Sequence, residues 1–136
     1  MSNIEWDYVK PLKVGTEVDV VEVKYIFQLP ADLKECLKEN NGGSPYPCSF
    51  DFGKNIGKVF GGLLSFNDGD NVTFYEVLDR FTTSEGNRLK MFPFGYDPAG
   101  NFLCVEDGNI VFYDTEMGET FFICKNFTEF LAMLYE

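Results

Sequence analysis

Phe92-Pro93-Phe94-Gly95-Tyr96-Asp97-Pro98-Ala99-Gly100-Asn101-Phe102-Leu103-Cys104 opens the stretch, Met91 to Glu136, whose reading decides the fold. Short aromatic and β-branched runs between turn residues predict strands at Leu89 to Phe94, Phe102 to Val105, Ile110 to Tyr113 and Phe121 to Cys124. Glu106-Asp107-Gly108-Asn109 supplies a hairpin turn, because Asp-Gly accepts the positive φ that a two-residue connection demands. Asn126 then caps a terminal helix with Glu129 reaching back to it, and Phe127, Phe130, Leu131 and Leu134 fall on the face it buries.

Upstream, Pro30 suits a first helical position, Asp32 and Glu35 favour the positive end of the dipole, and Leu33, Cys36 and Leu37 form an apolar stripe. Asn41-Gly42-Gly43 stops that helix, which spans about Pro30 to Asn40. Val18 to Phe27 is ambiguous. Alternation of Val18, Val20, Val23, Tyr25 and Phe27 leans to strand, whereas Thr16 as a cap with Val18, Val21 and Tyr25 at helical spacing gives a helix. Val59 to Phe66 reads as a strand ended by Asn67-Asp68-Gly69-Asp70-Asn71, and Val72, Tyr75 or Phe74, Leu78 and Phe81 suggest a short helix after it. Strands clustered in the middle and helices toward the two ends imply an α+β fold, a single domain over residues 1–136 with helices laid on an antiparallel sheet.

The 136 residues are 45% apolar with fifteen Phe and seven Tyr, enough for one aromatic core. The net charge is −11 and it is unevenly spread. Residues 1–92 carry 14 acids and 10 bases, whereas residues 93–136 carry 8 acids and one base, Lys125. Such a chain lacks the clustered cations that phosphates require, so nucleic acid is excluded as a partner and a basic protein fits better. The same acidity also serves solubility alone. The opening Met1-Ser2-Asn3-Ile4-Glu5-Trp6 has no basic stretch followed by an apolar run, and no segment approaches a membrane span. A cytoplasmic protein with reduced thiols is expected.

Catalytic chemistry is sought without success. There is no histidine, which removes the commonest proton shuttle and a principal metal ligand. Cys36, Cys48, Cys104 and Cys124 show no Cys-x-x-Cys pairing, so buried thiols rather than a metal site are expected. Gly53-Lys54-Asn55-Ile56-Gly57-Lys58-Val59 is one residue too short between its glycines for a phosphate loop and ends in Val59 instead of a hydroxyl. Asp68-Gly69-Asp70-Asn71-Val72 lacks the third oxygen ligand and the glycine of a calcium loop. The paired acids Glu106 with Asp107 and Asp114 with Glu116 are unavoidable among 22 carboxylates. No cofactor, no metal and no enzyme are therefore expected. Phe92 to Pro98 has two readings: a sheet edge leaving through a turn with Phe92 and Phe94 facing the core, or Tyr96 and Asp97 at the rim of a cleft beside Asn41, Gly42 and Gly43, where an aromatic ring and a carboxylate hold a partner's arginine.

Several segments together resemble the SUKH superfamily, the Smi/Knr group of immunity proteins and cell-wall-synthesis regulators. They are Trp6 and Val9, Leu29-Pro30-Ala31-Asp32-Leu33-Lys34 with Asn40-Asn41-Gly42-Gly43, Gly62-Leu63-Leu64-Ser65-Phe66, Phe92 to Asp97 with Gly100-Asn101, Ile110-Val111-Phe112-Tyr113-Asp114, and Phe127-Thr128-Glu129-Phe130-Leu131. The sequence departs from the pattern at Val105, where members often carry an acid. The resemblance implies an α+β domain in which the segment before Leu29 is helical, against the local strand preference. It also implies a non-catalytic role, either neutralising a cognate toxin, often a nuclease, or regulating wall synthesis through protein contacts. Gly42, Gly43, Gly95 and Gly100 are the matching turn positions, expected to need torsions that glycine takes cheaply. The expected contacts with a basic partner are Tyr96, Asp97, Glu106, Asp107, Asp114 and Glu116, with Asp68 and Asp70 as a second patch.

Overall fold

The computed structural model of the protein describes residues 4–82 and 88–136. Met1, Ser2 and Asn3, read above for a leader, lie outside the described residues. The chain runs β1 (Glu5–Asp7), α1 (Glu17–Lys24), α2 (Ala31–Glu39), β2 (Ser44–Tyr46), β3 (Ser49–Phe52), β4 (Asn55–Val59), β5 (Gly62–Leu63), α3 (Phe74–Val77) with a 3-10 turn at Leu78–Arg80, β6 (Phe92–Tyr96), β7 (Phe102–Glu106), β8 (Asn109–Asp114), β9 (Glu119–Cys124) and α4 (Phe127–Met133). Strands β5 to β9 form one antiparallel sheet in sequence order, and β1 with β2 and β3 with β4 form two antiparallel ribbons. This is the α+β arrangement that the strand and helix order predicted.

The meander follows from its turns. Asp107 and Gly108 both take positive φ, 51° and 82°, which closes β7 onto β8 with Glu106 opposite Asn109. The Asn126 side chain accepts the Glu129 amide N–H at 2.8 Å and donates to the Glu129 carboxylate at 3.1 Å, starting α4 as the sequence predicted. The helix drives Phe127 and Phe130 into the core, where the Phe130 ring lies 5.3 Å from both Phe50 and Phe60 and 6.3 Å from Phe94. A second ring stack, Phe66, Phe74 and Phe92, extends the same core under α3. These edge-on and offset contacts add roughly 0.5–1.5 kcal/mol per pair beyond simple burial.

Two element predictions need correction. The segment Val18 to Phe27 is helical at Glu17–Lys24, as the resemblance implied and against the local strand preference. Helical spacing wins because Val18, Val21 and Tyr25 are buried together, while Val20 and Val23, which strand alternation would also bury, are 57% and 81% exposed. Thr16 does not cap this helix through its side chain. The Glu17 carboxylate instead closes the loop that leads into it, accepting the Val14 and Gly15 amides at 2.9 and 2.7 Å. The second correction concerns Val59 to Phe66, which is not one strand. Val59 ends β4, the Phe60 amide still bonds to the Cys48 carbonyl, and from Gly61 onward the amide bonds pass to the Tyr96 and Phe94 carbonyls of β6. The chain changes partners at Phe60, whose ring plunges into the core.

The glycine prediction divides in two. Gly42 and Gly100 have φ of +70° and +93°, so left-handed torsion is the reason for glycine there. Gly43 and Gly95 have no positive φ and are glycine because of close approach. A Cβ on Gly95 would sit 2.7 Å from Phe60 Cε1, and one on Gly43 would sit 2.9 Å from the Asn40 carbonyl.

Candidate functional site

Of the acidic residues singled out in the sequence, all but Asp68 and Asp70 lie at the turns of the β6 to β9 meander, and they do not all do the same thing. Asp97 is buried. Its Oδ1 accepts the Ala99 and Asn101 amides, each at 2.9 Å, and its Oδ2 accepts the Asn101 side-chain amide at 3.2 Å. The expectation of Asp97 as an exposed carboxylate for a partner's arginine is therefore corrected, because its oxygens build the β6–β7 turn. Asn101 passes the constraint on: its Oδ1 accepts the Thr115 amide at 3.1 Å, while the Thr115 hydroxyl donates to the Gly100 carbonyl at 3.1 Å. The β6–β7 and β8–β9 turns are thereby joined into one block.

That block presents acids outward. Asp114 stands opposite Glu119 across β8 and β9, its Oδ1 accepts the Met117 amide at 3.0 Å, and Glu116 is exposed at the tip. Glu106 and Asp107 lie at the other end of β8, about 17 Å away for a six-residue strand. Glu106 is partly covered and has Lys90 Nζ 3.9 Å distant, whereas Asp107 is exposed. Asp107 also lines a recess of about 470 Å³ with Ile26, Phe27, Lys90 and Val105.

Tyr96 ends β6 immediately before the β6–β7 turn and shares a recess with Gly42, the neighbour given to it in one of the two readings of Phe92 to Pro98. Tyr96, Gly42, Tyr8, Lys10, Ser44 and Val72 are among the residues lining a recess of about 240 Å³. The Tyr96 ring lies against Gly61 and Gly62, where a Cβ would meet it at 2.9 Å in each case. Tyr8 and Val72 both hold positive φ, 60° and 46°, which for a β-branched valine is a real outlier.

Asp68 and Asp70 sit after β5, at the opposite edge of the sheet from β9, and so form no single surface with the acids of β8 and β9. Asp68 is exposed. Asp70 is bound inward, accepting the Ser65 hydroxyl at 2.7 Å and the Asn67 side-chain amide at 3.2 Å. Sequence reasoning missed the group these residues serve. Buried Asn41 accepts the Phe66 amide at 2.8 Å and donates to the Lys10 carbonyl and the Ser65 hydroxyl at 2.9 and 3.0 Å. Asn67 accepts the Lys13 amide at 3.0 Å and donates to the Pro11 carbonyl at 3.0 Å. The segment from Lys10 to Lys13 is pinned by these side chains in place of a strand ladder.

The Ser65 hydroxyl, helped by Asn67, holds the Asp70 carboxyl below the usual carboxylate range. A depressed folded value means that its contribution to stability is present above the unfolded value and lost as pH falls through the folded one. Asp70→Asn is thus expected to be less stable than the parent at neutral pH, with the gap closing on acidification below the ordinary carboxylate range. Parallel urea titrations from pH 7 to pH 3 check this, and a gap that is constant with pH would contradict it.

The thiols are unsuited to nucleophilic work. Burial pushes Cys36 up to about 12, Cys124 up to about 11 and Cys104 well above its ordinary value, so all three stay protonated at neutral pH. All four cysteines are free. Among the described residues no three Cys, Asp or Glu side chains converge as a metal ion would require, and no helix is long and apolar enough to cross a membrane.

With the fold and its turns in view, comparison with family models returns the SMI1 / KNR4 family (SUKH-1), matched over residues 16–133. The chain belongs to the SMI1/KNR4 family. No curated protein and no solved structure matches it. The SMI1/KNR4 match spans α1 through α4, so it takes in both acidic turns of the meander and the Asn41 network, while Trp6, Val9 and the Tyr8 side of the recess precede it.

Proposed function

We propose that this SMI1/KNR4 chain is a non-catalytic binding module that serves as an immunity protein, holding and blocking a basic toxin, with a nuclease the class that best suits its charge. The observation that carries the reading is the uneven charge along the chain. Residues 93–136 hold eight acids against Lys125, and Asp107, Asp114, Glu116 and Glu119 stand on turns and strand ends that reach solvent or its margin. A nuclease must gather phosphates with cations, so an acidic surface both competes for that field and is steered toward it. Tyr96, Glu106, Asp107, Asp114 and Glu116 remain the proposed contacts, with exposed Asp68 as a separate patch. Asp97 and Asp70 contribute by shaping their turns. Neither nucleic acid nor membrane is a proposed partner.

The test is to express the product of the adjoining gene, establish whether it kills a host, and ask whether this chain restores growth. In a purified complex, Asp107→Lys combined with Glu116→Lys is expected to slow association about tenfold or more at low salt, the difference shrinking as ionic strength rises. Thermal stability should not change, since both side chains are exposed. An unaltered association rate would remove the acidic turns from the contact.

A regulatory reading, of the wall-synthesis type, is favoured by one feature. The recess beneath Tyr8, which is 80% exposed, offers an aromatic contact independent of charge. Binding that survives high salt and is abolished by Tyr8→Ala supports that role instead.

A further inference from the structure

The outer edge of β9 is unpaired among the described residues. It ends the five-stranded sheet, and no backbone bond beyond those to β8 involves Glu119–Cys124. Edges are commonly blunted by lysine, proline or a bulge. Here neither lysine nor proline occurs within Glu119-Thr120-Phe121-Phe122-Ile123-Cys124, and the one irregularity lies toward its end, where Ile110 pairs with Cys124 and Val111 with Phe122. The side chains alternate in purpose. Phe121 stands opposite Phe112 and turns to Phe52, with ring centroids 6.1 Å apart. Phe122, opposite Val111, is 57% exposed, since the cover given by Phe81 reaches Tyr113 on β8.

We propose that the free edge of β9 is a strand-pairing site that takes an extended, basic segment of the partner, with Phe122 as its apolar anchor. The inference rests on the proposed basic partner and names how that partner is held. Backbone bonds along an exposed edge supply affinity, and alternate side chains supply choice. The flanking charge selects the occupant. Asp114, Glu116 and Glu119 stand at one end of the edge and Glu129 follows the other, against Lys125 and against Lys58, whose ammonium is occupied over the Phe112 ring at 5.5 Å. A segment carrying lysines or arginines satisfies these carboxylates, whereas a second copy brings the same excess of acids. The two acidic turns lie at opposite ends of β8, so a strand laid along neighbouring β9 reaches from one toward the other.

The probe is a soluble peptide of alternating lysine and valine, about eight residues long to match an ordinary strand, with a glutamate and valine peptide as control. Amide chemical shifts and hydrogen exchange are read on the whole folded chain. The expected result is saturable binding of the basic peptide, with shifts centred on Glu119–Cys124 and slowed exchange there. Phe122→Lys, a change at an exposed position, should weaken that binding about tenfold or more while leaving the fold intact. Thr120→Lys provides a second variant if the first does not fold. Shifts confined to carboxylate turns or to the Tyr8 recess, equal binding of the acidic peptide, or protection of β9 that grows with protein concentration in the absence of peptide would each overturn the proposal. Failure of growth rescue in the co-expression experiment removes the toxin reading without altering the peptide result. Rescue that Phe122→Lys leaves undiminished, in a folded variant, removes edge pairing while the immunity reading stands.

Discussion

Asn41→Ala is expected to lose about 3 kcal/mol of stability, because it leaves the Phe66 N–H with no partner and takes one bond each from the Lys10 carbonyl and the Ser65 hydroxyl. The Phe66 N–H, the Lys10 carbonyl and the Ser65 hydroxyl all meet this one amide, at 2.8, 2.9 and 3.0 Å. The orphaned Phe66 N–H costs roughly 1–3 kcal/mol where water cannot reach it, each bond lost from the other two groups about 1 kcal/mol more, and Asn41 itself is fully buried. Asn41→Asp keeps the volume and the acceptor for Phe66 but removes both donors and buries a charge, so it should be no less damaging. Urea unfolding with an unchanged slope reads the loss directly, and a fall in Tm of about 10 °C or more should accompany it. A loss under about 1 kcal/mol would mean that the Lys10 to Lys13 segment is held by something other than this amide.

Asp97→Ala is expected to cost about 3 kcal/mol, through the turn rather than through any partner. Three donors lose a charged acceptor: the Ala99 amide, the Asn101 amide and the Asn101 side chain. Asp97→Asn retains an oxygen for the two backbone amides but presents an NH2 to the NH2 of Asn101, and should lie between the two. Because Asn101 also holds Thr115, amide exchange at Thr115 and Met117 should quicken in Asp97→Ala although neither touches residue 97. Any loss of partner affinity in this variant would follow the loosened β8–β9 turn. That separates it from charge reversal at Glu116, which on the proposed reading is expected to change affinity with no change in stability. Exchange that is unaltered at Thr115 would break the link between the turns.

The β7 to β9 meander and α4 were legible because their signals are local. Asp107-Gly108 makes its turn within four residues, and Asn126 finds Glu129 three residues away. The ribbons were not, since β1 has three residues and meets Ser44–Tyr46 some forty positions later, with no periodicity in so short a run. Ser49-Phe50-Asp51-Phe52 does alternate between core and margin, and that signal was available. At the site, Tyr96 and Gly42 line one recess, whereas Asp97, read as exposed because carboxylates ordinarily are, lies buried in its turn. Asp97-Pro98-Ala99-Gly100-Asn101 carries the mark of a side-chain-closed turn, Asp followed by Pro and a left-handed Gly, which would have placed its oxygens inward. The anchoring role of Asn41 and Asn67 was not legible because most of their partners are main-chain groups up to 57 positions distant, which no spacing rule reaches.

The bond from Asn101 to Thr115 separates upkeep from display. Asp97, Asn101 and Thr115 spend their polar atoms on one another and on the backbone, while Glu116 and Met117, next along the chain, stand exposed and owe the clamp no side-chain contact. The tip of this loop is therefore free to be rewritten, in charge, size or apolarity, without disturbing the frame that aims it. A substitution there changes what the loop displays and leaves the scaffold as it is.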